Sequence, residues 1–361
     1  MRSLAELLHA ARERQLFSGA AWSVGTADGP LMQGRLGTLS WGGPPVQENT
    51  PWDLASVTKP IVGLAVMSLV ESGELLLDDT VGAHLARYAA TDKAQLTVRE
   101  LLTHTSGLPG QVELFRSCET TGQMLVALAK LPLMGPPGGQ VIYSSQGFML
   151  LGLIAECAAG TSLDALTAQR VLEPAGMVHT SFGLKPECRS SAAATEDCPW
   201  RGRVVQGTVH DENAVILSRP SGHAGVFSTI RDVALLGMSL CAGGQGSHGQ
   251  LLSEPSLSAM VRPATDPLLL RRSLGWQGVD RVNCPAGDLI APASYGHTGF
   301  TGTSLWIDVQ LGCYVALLTN RVHPTRSAQG FDNIRRAFHN MALALVASGT
   351  DVTLNRPEHF P

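Results

Sequence analysis

Hydrophobic spacing changes character twice along this 361-residue chain, and that change limits its fold more than any composition value does. Near the N-terminus, residues 20–25 and 31–36 read as two short strands around the turn Thr26-Ala27-Asp28-Gly29-Pro30. An amphipathic helix precedes them, with Leu4, Leu7, Leu8 and Ala11 on one face. A long helical pattern then runs from Ser56 to Glu71 and stops at Gly73, a residue suited to a left-handed cap. From about 80 to 260 the spacing is mostly helical, over 96–102, 122–131, 146–159 and 163–172, with Pro and Gly clusters between. Strand-like segments return at 273–279, 303–308 and 313–319, and a closing helix is predicted over 331–347. Strands at both ends with helices between place the termini in one sheet and make the middle an insertion. The predicted architecture is α+β: an antiparallel sheet flanked by N- and C-terminal helices, with an inserted, mostly helical lobe. Residues 1–361 form one unit, with an α/β lobe from about 1–80 plus 260–361 and a helical lobe over about 81–259.

Composition enters by exclusion. With 44% hydrophobic and 16% charged residues, the chain has the apolar content that disordered sequences lack. Its 26 basic and 30 acidic residues give a net charge of −4, so no basic field exists to attract nucleic acid. The longest apolar run, 61–70, falls far short of the roughly 20 residues of a membrane span. The N-terminal residues lack the uninterrupted apolar segment of a signal peptide, so the expected compartment is the cytoplasm, or the periplasm if a leader has been removed. Seven cysteines form no CxxC and read as reduced, small core residues, as at Cys157; a Cys188–Cys198 disulfide is the less favoured alternative.

The strongest chemical signal is Ser56-Val57-Thr58-Lys59 at the start of the long helix. Residues three apart share a helix face, so Lys59 Nζ can reach Ser56 Oγ. A serine hydroxyl attacks poorly until a base takes its proton, and a desolvated lysine can be that base. Taken alone, the spacing also fits a serine near a helix start beside a solvated lysine. Two further segments bear on the choice: Val141-Ile142-Tyr143-Ser144-Ser145 ahead of a helix, and Tyr295-Gly296-His297-Thr298-Gly299-Phe300 beside the C-terminal strands.

With these three in order, the chain resembles the serine β-lactamase and penicillin-binding-protein superfamily, in its class C-like branch of esterases and D-Ala-D-Ala carboxypeptidases. That branch carries SxxK, a Tyr-x-Asn-type element and a Lys/His-Thr-Gly strand, here Ser56–Lys59, Tyr143–Ser145 and His297–Gly299. Further segments are similar to its signatures: 101–108 (LLTHTSGL), 173–177 (EPAGM), 209–214 (VHDENA) and 222–229 (GHAGVFST), the last two resembling penicillin-binding-protein-4B-type members. The resemblance implies a β-lactamase/transpeptidase-like fold and a serine hydrolase. It makes Ser56 the nucleophile, Lys59 and Tyr143 the general-base pair, and the N–H groups of Ser56 and Phe300 the oxyanion hole. His297, Thr298, Gly299 and Ser145 would line the substrate.

Two departures bear on substrate. Ser145 stands where the family often has Asn, and a hydroxyl cannot span the two hydrogen bonds an amide makes. His297 stands where lactamases carry Lys, and a mostly neutral imidazole attracts a substrate carboxylate weakly. Both argue against efficient penicillin hydrolysis. They favour a carboxylesterase-type or D-amino-acid peptide or amide hydrolase acting on a small ester, amide or short peptide. An acyltransferase, a D-Ala-D-Ala carboxypeptidase or a non-catalytic binding protein are the alternatives. No cofactor is expected. His210, Asp211, Glu212 and His223 match no standard metal-ligand spacing, and Asp211 and His223 are expected to line the cleft or brace a loop. Gly244–Gly249 spells GxGxxG without the strand-turn-helix setting a dinucleotide needs, and no Gly-x-Ser-x-Gly elbow occurs. The oligomeric state is left open.

Overall fold

The computed structural model describes residues 3–349. Eleven strands follow in chain order: β1 (Gly19–Thr26), β2 (Gly29–Gly37), β3 (Trp52–Asp53), β4 (Ser181–Phe182), β5 (Ala194–Cys198), β6 (Arg203–Gln206), β7 (Val226–Ser228), β8 (Gln277–Gly278), β9 (Tyr295–Thr298), β10 (Ser304–Asp308) and β11 (Cys313–Thr319). Six of them form one antiparallel sheet in the order β2-β1-β11-β10-β9-β8. Within it β1 pairs with β11, in register from Ala20 against Thr319 to Thr26 against Cys313. The two ends of the chain therefore meet in one sheet, as the periodicity predicts.

Helices cover both faces of this sheet, and strand alternation sorts the side chains between two cores. Ala20, Trp22, Val24, Val315 and Leu317 pack with α1 (Leu4–Glu13) and the closing helix Phe331–Ala347. Ala21, Tyr314, Ala316 and Leu318 point the other way, into the core built on α2 (Thr58–Glu71) and the helices of the middle region. A strand buried on both faces has no polar side to show, which is why 313–319 reads as a continuous apolar run. The α2 helix is buried from Thr58 to Leu69 and is hydrophobic all round, as a central helix must be. Among the described residues, no single helix is long and apolar enough to cross a membrane.

The middle of the chain is less uniformly helical than the spacing suggests. It contributes β4 and β7 to a three-stranded sheet ordered β3-β7-β4, and the β5–β6 hairpin. Strands of two to five residues are too short for a period-two pattern to register. The strand expected at 273–279 shrinks to Gln277–Gly278, because Gly275 takes φ +84° and the chain turns, Ser273 N–H reaching the Trp276 carbonyl. All seven cysteines are free, and Cys157 and Cys188 are exposed rather than core residues. Cys157 lies beyond the buried stretch of its helix, which ends at Ala155, so apolar neighbours in sequence do not bury it.

Candidate active site

Ser56 sits in a single 3-10 turn, Ala55–Val57, that leads into α2. The turn is forced: Ala55 has φ +47°, a conformation a β-carbon opposes. Buried Asp53 holds it, Oδ1 accepting the Ala55 N–H at 2.8 Å and Oδ2 the His210 N–H at 2.7 Å. Burial pushes the Asp53 carboxyl above its usual range, and these two donors pull against that. The end of β9 is tied to the same turn. Thr301 Oγ1 donates to the Asp53 carbonyl at 2.7 Å, and Thr303 Oγ1 to the Leu54 carbonyl at 2.9 Å.

Lys59 is the second residue of α2, wholly buried, with Nζ 3.1 Å from Ser56 Oγ and 3.0 Å from the His223 carbonyl oxygen. Its remaining side faces aromatic rings, with Nζ 4.9 Å from the Tyr143 centroid and 5.8 Å from that of Phe148. Among the described residues no carboxylate pairs with it. Tyr143 stands in the loop before the Ser145–Ala159 helix, and a histidine brackets it. His104 accepts the Ile142 N–H on its carbonyl at 2.9 Å and the Ser144 N–H on Nδ1 at 3.0 Å, while its ring lies 4.6 Å from that of Tyr143. Burial holds the His104 pKa well below its ordinary value, and the Lys59 charge adds to this. The ring is therefore neutral, and with Nδ1 accepting, its proton is on Nε2. Sequence reasoning placed His104 in a signature segment but gave it no role, because its partners lie some 40 residues away.

The second wall is β9. His297, opposite Leu305 in β10, is buried, and its ring lies 6.0 Å from that of Tyr143. Burial first, then the Lys59 charge, pushes its pKa down to about 3, so it is neutral at pH 7. Thr298 pairs with Ser304. Gly299 has a reason other than an open approach for substrate: a Cβ there would lie 2.0 Å from Thr303 Oγ1 and 2.4 Å from the Leu54 carbonyl. Glycine at this point lets the strand end pack against the Ser56 turn. The Phe300 ring is partly exposed and stacks on His210 at 5.6 Å. The backbone N–H groups of Ser56 and Phe300 donate to no acceptor among the described residues. Ser145 opens the Ser145–Ala159 helix and is buried, but no hydrogen bond joins it to Lys59.

The 210–223 segment divides. Asp211 and His223 pair at 2.9 Å next to Lys59, whereas His210 lies 3.2 Å from Glu196. Glu196, Cys198 and Glu212 each place one ligand-type atom within 4.8 Å of the others. Arg326, however, donates to both carboxylates, so a guanidinium fills the place a cation would take. Burial alone would raise the Glu196 pKa, yet His210 and Arg326 bring it down to about 2. His210, Asp211, Glu212 and His223 are thus not brought to one point. The first and third serve an ion-pair network, and the second and fourth the lysine.

The family model for beta-lactamase matches residues 4–338. A protein of Escherichia coli O157:H7 named "Putative D-alanyl-D-alanine carboxypeptidase" is 31% identical over 307 residues, covering 76% of this chain and 70% of its own. The "N-acetylmuramyl-L-alanine amidase" of Bacillus subtilis (strain 168) is 32% identical over 313 residues, covering 77% and 69%. Among solved structures, unliganded simvastatin synthase from Aspergillus terreus superposes with TM-score 0.75 at 21% identity, over 96% of this chain and 98% of its own. EstCE1, a hydrolase with promiscuous acyltransferase activity, gives 0.74 at 21% identity over 93% and 97%. At that identity the two structures speak for the fold.

Proposed function

The chain belongs to the beta-lactamase family, and from that premise we propose that it is a serine hydrolase working through an acyl-enzyme at Ser56. One observation carries the reading: Lys59, buried and in direct contact with no carboxylate among the described residues, has Nζ 3.1 Å from Ser56 Oγ. In its unprotonated form Lys59, with the Tyr143 hydroxyl as relay, takes the Ser56 proton as Oγ attacks a substrate carbonyl. The free N–H groups of Ser56 and Phe300 receive the oxyanion. Collapse expels the alcohol or amine, which takes back the proton, and water attacks the acyl-enzyme by the same route in reverse. Transfer of the acyl group to an added alcohol is the same chemistry with another acceptor.

The substrate we propose is a small ester, or an amide or short peptide of the kind named for the Escherichia coli and Bacillus subtilis relatives. Neutral His297 offers no fixed charge to a penicillin carboxylate, and Ser145 makes no bond to Lys59, so β-lactam turnover is expected to be weak. Initial rates on p-nitrophenyl acetate, nitrocefin and a D-Ala-D-Ala peptide, against Ser56→Ala, test this. Expected are ester turnover, little nitrocefin turnover and loss of both in the variant. Ester turnover surviving in Ser56→Ala would overturn the assignment, and fast nitrocefin hydrolysis would overturn the substrate argument.

A further inference from the structure

Among the described residues Lys59 reaches only two hydrogen-bond acceptors, and one of them, Ser56 Oγ, is the group it acts on. The other, the His223 carbonyl, is therefore what fixes the lysine in place. His223 belongs to the tight turn Ser221-Gly222-His223-Ala224, closed by an antiparallel bridge between Ser221 and Ala224. Gly222 presses this turn onto the Ser145–Ala159 helix: a Cβ there would lie 2.1 Å from the Phe148 carbonyl oxygen. The His223 ring is wholly buried, and both its nitrogens are tied. Nδ1 is 2.7 Å from Ser221 Oγ and Nε2 is 2.9 Å from Asp211 Oδ1. A carboxylate has no proton to give, so Nε2 carries hydrogen and donates. Asp211 is held in turn, because Oδ1 also accepts the Ala214 N–H at 2.9 Å. Burial works against its charge, but His223, the Ala214 N–H and Lys59 keep its carboxyl well below the usual range.

We infer that Asp211, His223 and Ser221 form a positioning relay that locks the His223 carbonyl as the anchor of Lys59 Nζ, and so sets the Lys59–Ser56 geometry. The inference rests on the serine-hydrolase reading above. The same three residues spell a Ser-His-Asp set, but they are not a second hydrolytic triad. Serine is on Nδ1 and aspartate on Nε2, the reverse of that arrangement, and Ser221 is buried out of reach of a carbonyl. The relay acts through the lysine. Neither the Asp211–His223 distance nor a backbone acceptor has any mark in a sequence motif.

Kinetics on p-nitrophenyl acetate separate positioning from substrate contact. In His223→Leu and Asp211→Ala, kcat is expected to fall about 10- to 100-fold with KM within about threefold, since a misplacement near 1 Å costs about that much. Asp211→Asn keeps an acceptor for both N–H donors and is expected to restore at least a third of wild-type kcat. If His223→Leu does not fold, the Asp211 pair carries the test, since that side chain is one-third exposed. A folded Asp211→Ala with kcat within threefold of wild type would overturn the relay, as would a rise in KM at constant kcat. So would Asp211→Asn as damaged as Asp211→Ala. Labelling by a fluorophosphonate distinguishes the two levels. Wild-type chain that takes no label at Ser56 overturns the hydrolase reading and the relay with it. Label on wild type at an unchanged rate in Asp211→Ala overturns the relay alone.

Discussion

Two cations flank the cleft, and they are held in opposite ways. Lys59 is wholly buried and rests on a hydroxyl, a carbonyl and an aromatic face, all uncharged. Arg326 is one-third exposed, yet it is clamped by Glu196, with Nε 2.8 Å from both carboxylate oxygens, and donates to Glu212 as well. A charge neutralised by carboxylates has little left to offer a reaction and contributes structure. A buried charge with no carboxylate in direct contact costs stability, and the fold keeps it beside the proposed nucleophile. The difference supports the proposal that the Lys59 site is the one built for chemistry.

The widest separation between them should come from removing each charge. Lys59→Met is expected to lower ester kcat/KM by about 10³-fold or more, the scale of a lost general base, while the melting temperature holds or rises. A variant within tenfold of wild type would erase the contrast. Arg326→Met should do the reverse. It leaves buried Glu196 with His210 as its remaining partner, and urea unfolding should show a loss of roughly 2–3 kcal/mol, less than the ~3–5 of a fully buried pair because the guanidinium is partly exposed. Its ester kcat is expected to stay within about tenfold.

Acid sharpens the comparison, because the two regions lose stability in different windows. His297 and His339 have pKa values pushed down to about 3 by burial, and His104 is also depressed. Below about pH 6.5 the unfolded chain takes up these protons and the folded chain does not, so stability falls from pH 6.5 toward 3. Each such histidine adds a slope of up to about 1.4 kcal/mol per pH unit. Glu196, depressed to about 2, contributes stability above about pH 4.5 that is lost as pH falls toward 2. Urea midpoints at pH 7, 5.5 and 4 should therefore decline from the first step, and His297→Gln should flatten that step. A flat stability between pH 7 and 5 would contradict the buried, neutral histidines.

Much of this was legible in the residues. Ser56 and Lys59 lie three apart, and helix geometry alone brings them together. The terminal strands were legible because apolar runs of seven or eight residues carry their own signal, as in Cys313–Thr319. Tyr143 and His297 were found only by resemblance, since nothing local ties either to the serine. What stayed hidden depends on distant pairings or on backbone groups. His104 gripping the residues on both sides of Tyr143, Asp53 bridging to His210, and the His223 carbonyl on Lys59 each join chain positions 38 to 164 residues apart. The packing of Gly299 against the Leu54 carbonyl, likewise, has no mark in the sequence.

The central claim is that Ser56, beside a buried lysine that no carboxylate contacts directly, is the nucleophile, and a fluorophosphonate tests it most directly. Intact mass after labelling should rise by one adduct, mapped to the Ser56 peptide, absent in Ser56→Ala and slowed about 10³-fold in Lys59→Met. No adduct, or one on another serine that persists in Ser56→Ala, would contradict the account.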